Sequence, residues 1–129
     1  MSTIFTKIIN GEIPSYKIAE DENFIAFLDA MPLVKGHTLV VPKKETDLIF
    51  DLESEEYRNL WGFAQEVAKK IKRAIPCVRV GVAIVGLEVP HAHIHLIPLN
   101  QVEDMNFKNE RLKLTDEEYT EIRNSIINS

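Results

Sequence analysis

Three of the four histidines in this chain fall within five residues, at His91, His93 and His95, separated by Ala92 and Ile94. The flanks Leu87-Glu88-Val89-Pro90 and Leu96-Ile97-Pro98-Leu99 carry no turn residues other than proline. The segment therefore reads as a strand opened by Pro90 and closed by Pro98. Strand side chains alternate faces, so the three imidazoles share one face, while Ala92, Ile94 and Leu96 form the other. An imidazole titrates near neutral pH: the neutral ring can attack an electrophile, and the protonated ring can stabilise or protonate a leaving oxygen. Rings on alternate residues, roughly 6.5–7 Å apart at Cα, are spaced for a phosphate group to span them.

Two other readings of the same residues stay open. Alternating histidines can ligate zinc, although no histidine-glutamate helix motif accompanies them. The row could also be a polar strand face without chemistry. His37, the fourth histidine, begins a further strand in Gly36-His37-Thr38-Leu39-Val40-Val41-Pro42 and shares a face with Leu39 and Val41. It joins the row only if that strand neighbours the histidine strand.

The elements that must position these residues follow from the rest of the pattern. Residues 3–10 carry Ile4, Phe5, Ile8 and Ile9 at helical spacing, ended by Gly11. Residues 16–19 and 24–29 read as strands about the polar turn Glu20-Asp21-Glu22-Asn23, and 37–41 as a third. A long helix over about 54–74 carries the stripe Tyr57, Leu60, Trp61, Ala64, Val67, Ala68 and Ile71, with Ser54 or Asp51 as its cap and Pro76 beyond its end. Val78, Val80 and Val82 alternate as another strand. Thr115-Asp116-Glu117-Glu118 has capping-box spacing and opens a last helix, about 115–127, with Tyr119, Ile122 and Ile126 as its apolar side. The expectation is an α+β architecture: a five-stranded, mostly antiparallel sheet with one long helix and short terminal helices. One sheet face is left for loops, terminal helices or another subunit to cover.

Composition narrows the function. The 129 residues fit one domain, 1–129, and 45% apolar content supports a real core. A formal net charge of -5 argues against general affinity for nucleic acid. No apolar run is long enough to span a bilayer, and no cleavable leader is apparent. The single cysteine, Cys77, excludes an intrachain disulfide and reads as a buried spectator thiol. A reducing, cytoplasmic setting fits these features.

Four blocks taken together resemble a known family. They are Ile4-Phe5-Thr6-Lys7-Ile8-Ile9-Asn10-Gly11-Glu12-Ile13-Pro14, Asp21-Glu22-Asn23-Phe24-Ile25-Ala26-Phe27-Leu28-Asp29, Gly36-His37-Thr38-Leu39-Val40-Val41-Pro42-Lys43, and His91-Ala92-His93-Ile94-His95-Leu96-Ile97. In this order they are similar to the histidine triad superfamily, most of all to its nucleotide-binding protein branch, over roughly residues 3–99. The resemblance implies a HIT-like fold and a hydrolase that cleaves nucleoside phosphoramidates or related esters and anhydrides through a nucleotidyl-histidine intermediate. It implies His93 as nucleophile, its other nitrogen donating to a backbone carbonyl near His91. It also implies His95 on the phosphate, with His91 and His37 as the supporting network. Asp29 matches the ribose-binding aspartate, and Phe5, Phe27, Ile4, Ile8 and Leu28 match the wall of the base pocket. The expected partners are a nucleoside monophosphate or its phosphoramidate and a second copy in a homodimer, with no cofactor and no resident metal. The chain departs from the family pattern before the triad. Gly86-Leu87-Glu88 puts the carboxylate of Glu88 where a hydroxyl that contacts the phosphate is usual, and the preceding loop is reduced to Ile84-Val85-Gly86. That keeps two competing classes in view: a nucleotide-binding or interaction protein with little turnover, and a histidine-ligated metal protein.

Overall fold

The computed structural model describes residues 2–129. The elements in order are α1 (Ile4–Ile9), β1 (Lys17–Glu20), β2 (Phe24–Leu28), β3 (Thr38–Pro42), a 3-10 turn (Ile49–Asp51), α2 (Ser54–Ala74), β4 (Arg79–Ala83), β5 (Ile94–Leu99), a second 3-10 turn (Val102–Met105) and α3 (Asp116–Ile127). The five strands form one sheet in the order β1-β2-β3-β5-β4, and every pairing is antiparallel. This is the expected α+β fold, and α2 spans the predicted residues.

Alternation along the strands divides the molecule into two layers. Phe24, Ala26 and Leu28 of β2, Val40 of β3, and Ile94 and Leu96 of β5 point to one side. There they pack with Leu60, Ala64, Val67 and Ile71 of α2 and Tyr119, Ile122 and Ile126 of α3. Ile25 and Phe27 of β2 and Leu39 and Val41 of β3 point to the other side, beneath Phe5 of α1. The second face is thus covered by the short first helix and by the chain that returns after β5.

Several details differ from the sequence pattern. The histidine strand begins only at Ile94, so His91 and His93 lie in its lead. The backbone there is engaged elsewhere: His91 N–H bonds Val89 O at 2.8 Å and Ala92 N–H bonds Thr46 O at 2.7 Å, which takes these groups out of any ladder. Pro98 does not close the strand; it pairs with Val80 inside β5, beyond Leu96, where pairing with β3 has ended. A proline is tolerated at such a position because no ladder donor is lost. Neither Ser54 nor Asp51 caps α2. Glu53 occupies the N-cap without a side-chain bond, and Glu55 and Glu56 in the first turn complement the helix dipole instead. Cys77 is half-buried rather than sealed in the core. The Thr115–Glu118 capping box of α3 forms with both bonds present.

Gly36 sits at the entrance to β3 with φ +92°, a conformation that side chains with a Cβ rarely adopt. An added Cβ would lie 3.0 Å from Ile75 Cγ1 and 3.2 Å from Pro98 Cγ. Gly36→Ala should therefore lower the unfolding free energy by at least about 1–2 kcal/mol. Urea unfolding measures this, and an unchanged midpoint would contradict it.

Candidate active site

The site is assembled where β3 and β5 lie side by side, with Leu39 opposite His95. Asp29 follows β2 directly and His37 precedes β3 directly, and the bond from Asp29 N–H to His37 O, 3.0 Å, closes that end of the hairpin. Two neighbouring strand ends thus deliver Asp29 and His37 beside the histidine row.

His37, His95 and His93 form a continuous row of rings, and Phe5 joins His91 to it. His93 and His95 have ring centroids 4.9 Å apart, and His37 and His95 5.2 Å. Phe5 of α1 lies edge-on to His93 at 4.9 Å, to Phe27 at 5.7 Å and to His91 at 5.8 Å. All four histidines are buried.

Hydrogen-bond partners determine which nitrogen of each neutral ring carries the proton. Leu33 N–H donates to His37 Nδ1 at 3.0 Å, so the proton of His37 is on Nε2. Nε2 faces His95 Nδ1 at 2.9 Å and Asp29 Oδ2 at 3.4 Å. His95 Nδ1 must then accept, which leaves its proton on Nε2. His93 Nδ1 donates to His91 O at 2.7 Å, which leaves His93 Nε2 with a bare lone pair. His91 Nε2 donates to Pro42 O at 2.8 Å, and its Nδ1 accepts from Thr3 Oγ1 at 2.8 Å. The row therefore presents one nucleophilic nitrogen on His93 and one N–H donor on His95.

Burial, the largest cause in each case, disfavours the charged rings. His37 is pushed down to about 3, assisted by the charges of His95 and Arg111. His95 is pushed down to about 4, and His93 is lowered despite its bond to the His91 carbonyl. The Asp29 carboxyl is raised by burial, against the opposing effects of the Met31 N–H and the Arg111 charge.

The sequence-derived residues are not all brought together. His37, His91, His93, His95, Asp29, Phe5 and Phe27 converge. Ile8 packs at the margin of the Phe5–Phe27 cluster, and Ile4 is half exposed on α1. Leu28 is a correction: its side chain faces α2 and α3 on the opposite side of the sheet, because it is one residue out of phase with Phe27. Glu88 is exposed, yet its charge is felt by both His93 and Asp29, so it stands on the histidine side.

Other contributors had no recognised signal in the sequence. Thr3 caps α1 through Thr6 N–H, and Glu45 Oε1 accepts from Thr6 Oγ1 at 2.6 Å and from Thr3 N–H at 3.1 Å. This network ends on His91 and steadies the carbonyl that orients His93; the threonine spacing across a helix start was its only trace. Phe107 lies edge-on to His95 at 4.9 Å, and Arg111 sits over Phe107 at 5.7 Å. Nothing local marks these two.

Asp29, His37 and His95 offer ligand atoms within 4.8 Å of one another, so they could hold a metal ion. His37 could contribute only Nε2, and only by giving up its bond to His95.

The sequence model of the HIT domain matches residues 10–102. A HIT-like protein of Borreliella burgdorferi is 35% identical over 127 residues, covering 92% of this chain and 91% of that protein. The Saccharomyces cerevisiae protein named adenosine 5'-monophosphoramidase is 38% identical over 96 residues, covering 74% of this chain and 61% of that protein. The crystal structure of a HIT-like protein from Bartonella henselae superposes with a TM-score of 0.85 at 32% identity, covering 98% of this chain and 95% of that one.

The lowered imidazoles make stability depend on pH in a definite direction. Below about pH 6.5 the unfolded chain binds protons that the folded His37 and His95 refuse. Stability is therefore complete above that pH and is lost as pH falls toward 4 for His95 and 3 for His37. Each ring contributes a slope of about 1.4 kcal/mol per pH unit, partly offset by Asp29, whose raised carboxyl acts in the opposite sense. His37→Gln should flatten the dependence by about one such group between pH 6.5 and 4. Urea titrations at several pH values test this; equal slopes in parent and variant would refute it.

Proposed function

This chain belongs to the HIT family, and on that premise we propose that it is a nucleotide hydrolase of the nucleotide-binding branch, cleaving phosphoramidates or related esters and anhydrides of nucleoside monophosphates. The observation that carries this reading is the tautomer pattern. A bare His93 Nε2 stands beside a His95 ring whose Nε2 carries the proton. His93 Nε2 attacks the phosphorus and forms a new P–N bond while the bond to the leaving nitrogen breaks; that nitrogen takes a proton from solvent and departs as an amine. His95 Nε2–H donates to a phosphoryl oxygen while charge builds there. Water then cleaves the P–N bond of the nucleotidyl-histidine and restores the ring. Asp29 accepts from the ribose hydroxyls, and Phe5, Phe27, Ile8 and Ile4 flank the base. The name of the yeast relative supports the phosphoramidate as substrate, with a nucleoside monophosphate as product.

We also propose a homodimer built on β4, an edge strand that exposes Val82, with Val78 exposed just before it. Cytoplasmic residence remains part of the proposal; among the described residues no helix is long and apolar enough to cross a membrane.

Incubation with adenosine 5'-phosphoramidate should release AMP, and His93→Ala should reduce that release by at least about 10²-fold while the fold persists. Equal release by parent and variant would overturn the assignment. Release should continue in EDTA; its abolition there would favour a metal held by Asp29, His37 and His95. Asp29→Ala should raise KM more than it lowers kcat, because it removes a binding contact remote from the phosphorus.

A further inference from the structure

The chain that follows β5 returns across the histidine face. Phe107 sets its edge against His95 at 4.9 Å and against His37 at 6.4 Å. Arg111 lies over the Phe107 ring at 5.7 Å, and its guanidinium donates to Met31 O at 2.7 Å and to Phe107 O at 3.4 Å. Met31 is tied in turn to Asp29, whose Oδ1 accepts from the Met31 N–H at 2.8 Å. Both Phe107 and Arg111 lie beyond residues 10–102, the part of the chain that the HIT domain matches.

The charges on this face set a problem for any phosphate. His37, His93 and His95 are neutral at pH 7, so the rings bring no positive charge to an anion. Asp29 and Glu88 are acidic, and Glu88 acts on the His93 end of the row. The one Lys or Arg whose charge reaches Asp29, His37 and His95 is Arg111. Its charge acts on His37 and His95, whereas that of Glu88 acts on His93, and both act on Asp29. Among the described residues no carboxylate lies within ion-pair distance of Arg111.

Bonds other than those of Arg111 also hold the returning chain. Leu112 N–H bonds Pro32 O at 2.9 Å, Asn109 Nδ2 bonds Glu103 O at 2.6 Å, and the Gln101–Asp104 capping box fixes the turn before it. A half-buried guanidinium with donors to spare, stacked on an aromatic ring and lacking an acidic partner, carries a desolvation cost that an incoming anion would offset.

We propose that residues 106–112 form a fixed cap over the histidine face and that Arg111 on this cap recognises the anionic phosphate of the substrate. This rests on the nucleotide reading above and adds to it the group that tells a nucleotide from a nucleoside. The guanidinium draws phosphate charge toward the His95 end of the row, away from Glu88, and leaves the phosphorus open to His93.

The test compares AMP with adenosine, which share base and sugar and differ in the phosphate. Calorimetric titration of the full chain should show AMP bound more tightly than adenosine by the parent. Arg111→Gln should cut AMP affinity by about tenfold or more and leave adenosine affinity within about twofold. An unchanged AMP-over-adenosine preference in Arg111→Gln overturns the role of Arg111 alone, as does equal loss of both ligands, which marks a purely structural residue. Should the glutamine variant fail to fold, Arg111→Lys carries the test. It keeps the charge and should retain the preference to within about threefold, and collapse of the preference in a folded lysine variant overturns the inference. A parent protein that binds neither AMP nor adenosine overturns the nucleotide reading, and this inference with it.

Discussion

A single backbone N–H sets the protonation pattern of His37 and His95. Leu33 donates to Nδ1 of His37 and so denies that nitrogen a proton. The proton must sit on Nε2, which makes Nδ1 of His95 an acceptor and leaves the His95 proton on Nε2. A second backbone group, the carbonyl of His91, sets His93 in the complementary tautomer. Side chains with two interchangeable nitrogens are thereby given opposite roles at neighbouring positions. Burial completes the arrangement by keeping the rings neutral, so that the tautomers and not the charges distinguish them.

That arrangement depends on the sheet more than on the rings. His37 and Asp29 sit just outside paired strand ends, where they are anchored without being committed to the ladder. His95 lies inside β5, held between β3 and β4. His91 and His93 stand in a lead whose backbone bonds are claimed by Val89 and Thr46. The Thr3–Thr6–Glu45 network at the start of α1 braces His91 from the other side, so the first helix serves the site twice: it supplies Phe5 and it steadies the triad.

The same burial that keeps the rings neutral weakens the site as an anion receptor. Neutral imidazoles are nucleophilic but attract phosphate poorly, and the negative charge of Glu88 is felt at His93. Arg111 and Phe107, folded back from beyond β5, meet both difficulties: the aromatic ring covers His95 and the guanidinium brings a fixed positive charge.

Much of this was legible in the chain before any coordinates. Period-two alternation placed Ala92, Ile94 and Leu96 in the core and the histidines opposite, and that assignment survives although the strand starts four residues later than the pattern implied. The 3.6-residue stripe located α2, and the Thr115–Glu118 spacing located the start of α3. These features are local, so neighbouring residues suffice to specify them. The resemblance added Asp29 and gave His37 a role, but it also placed Leu28 in the pocket, where strand phase puts it on the far side of the sheet. Hydrogen-bond direction, tautomer and the meeting of residues far apart in the chain had no local signature. Leu33 against His37, Glu45 against Thr3, and Phe107 against His95 exist only because strand order and the path of the returning chain bring them within reach. Residue types and periodicity thus settled which groups could do chemistry, whereas packing in three dimensions decided which nitrogen of each ring carries the proton and which fixed charge stands beside them.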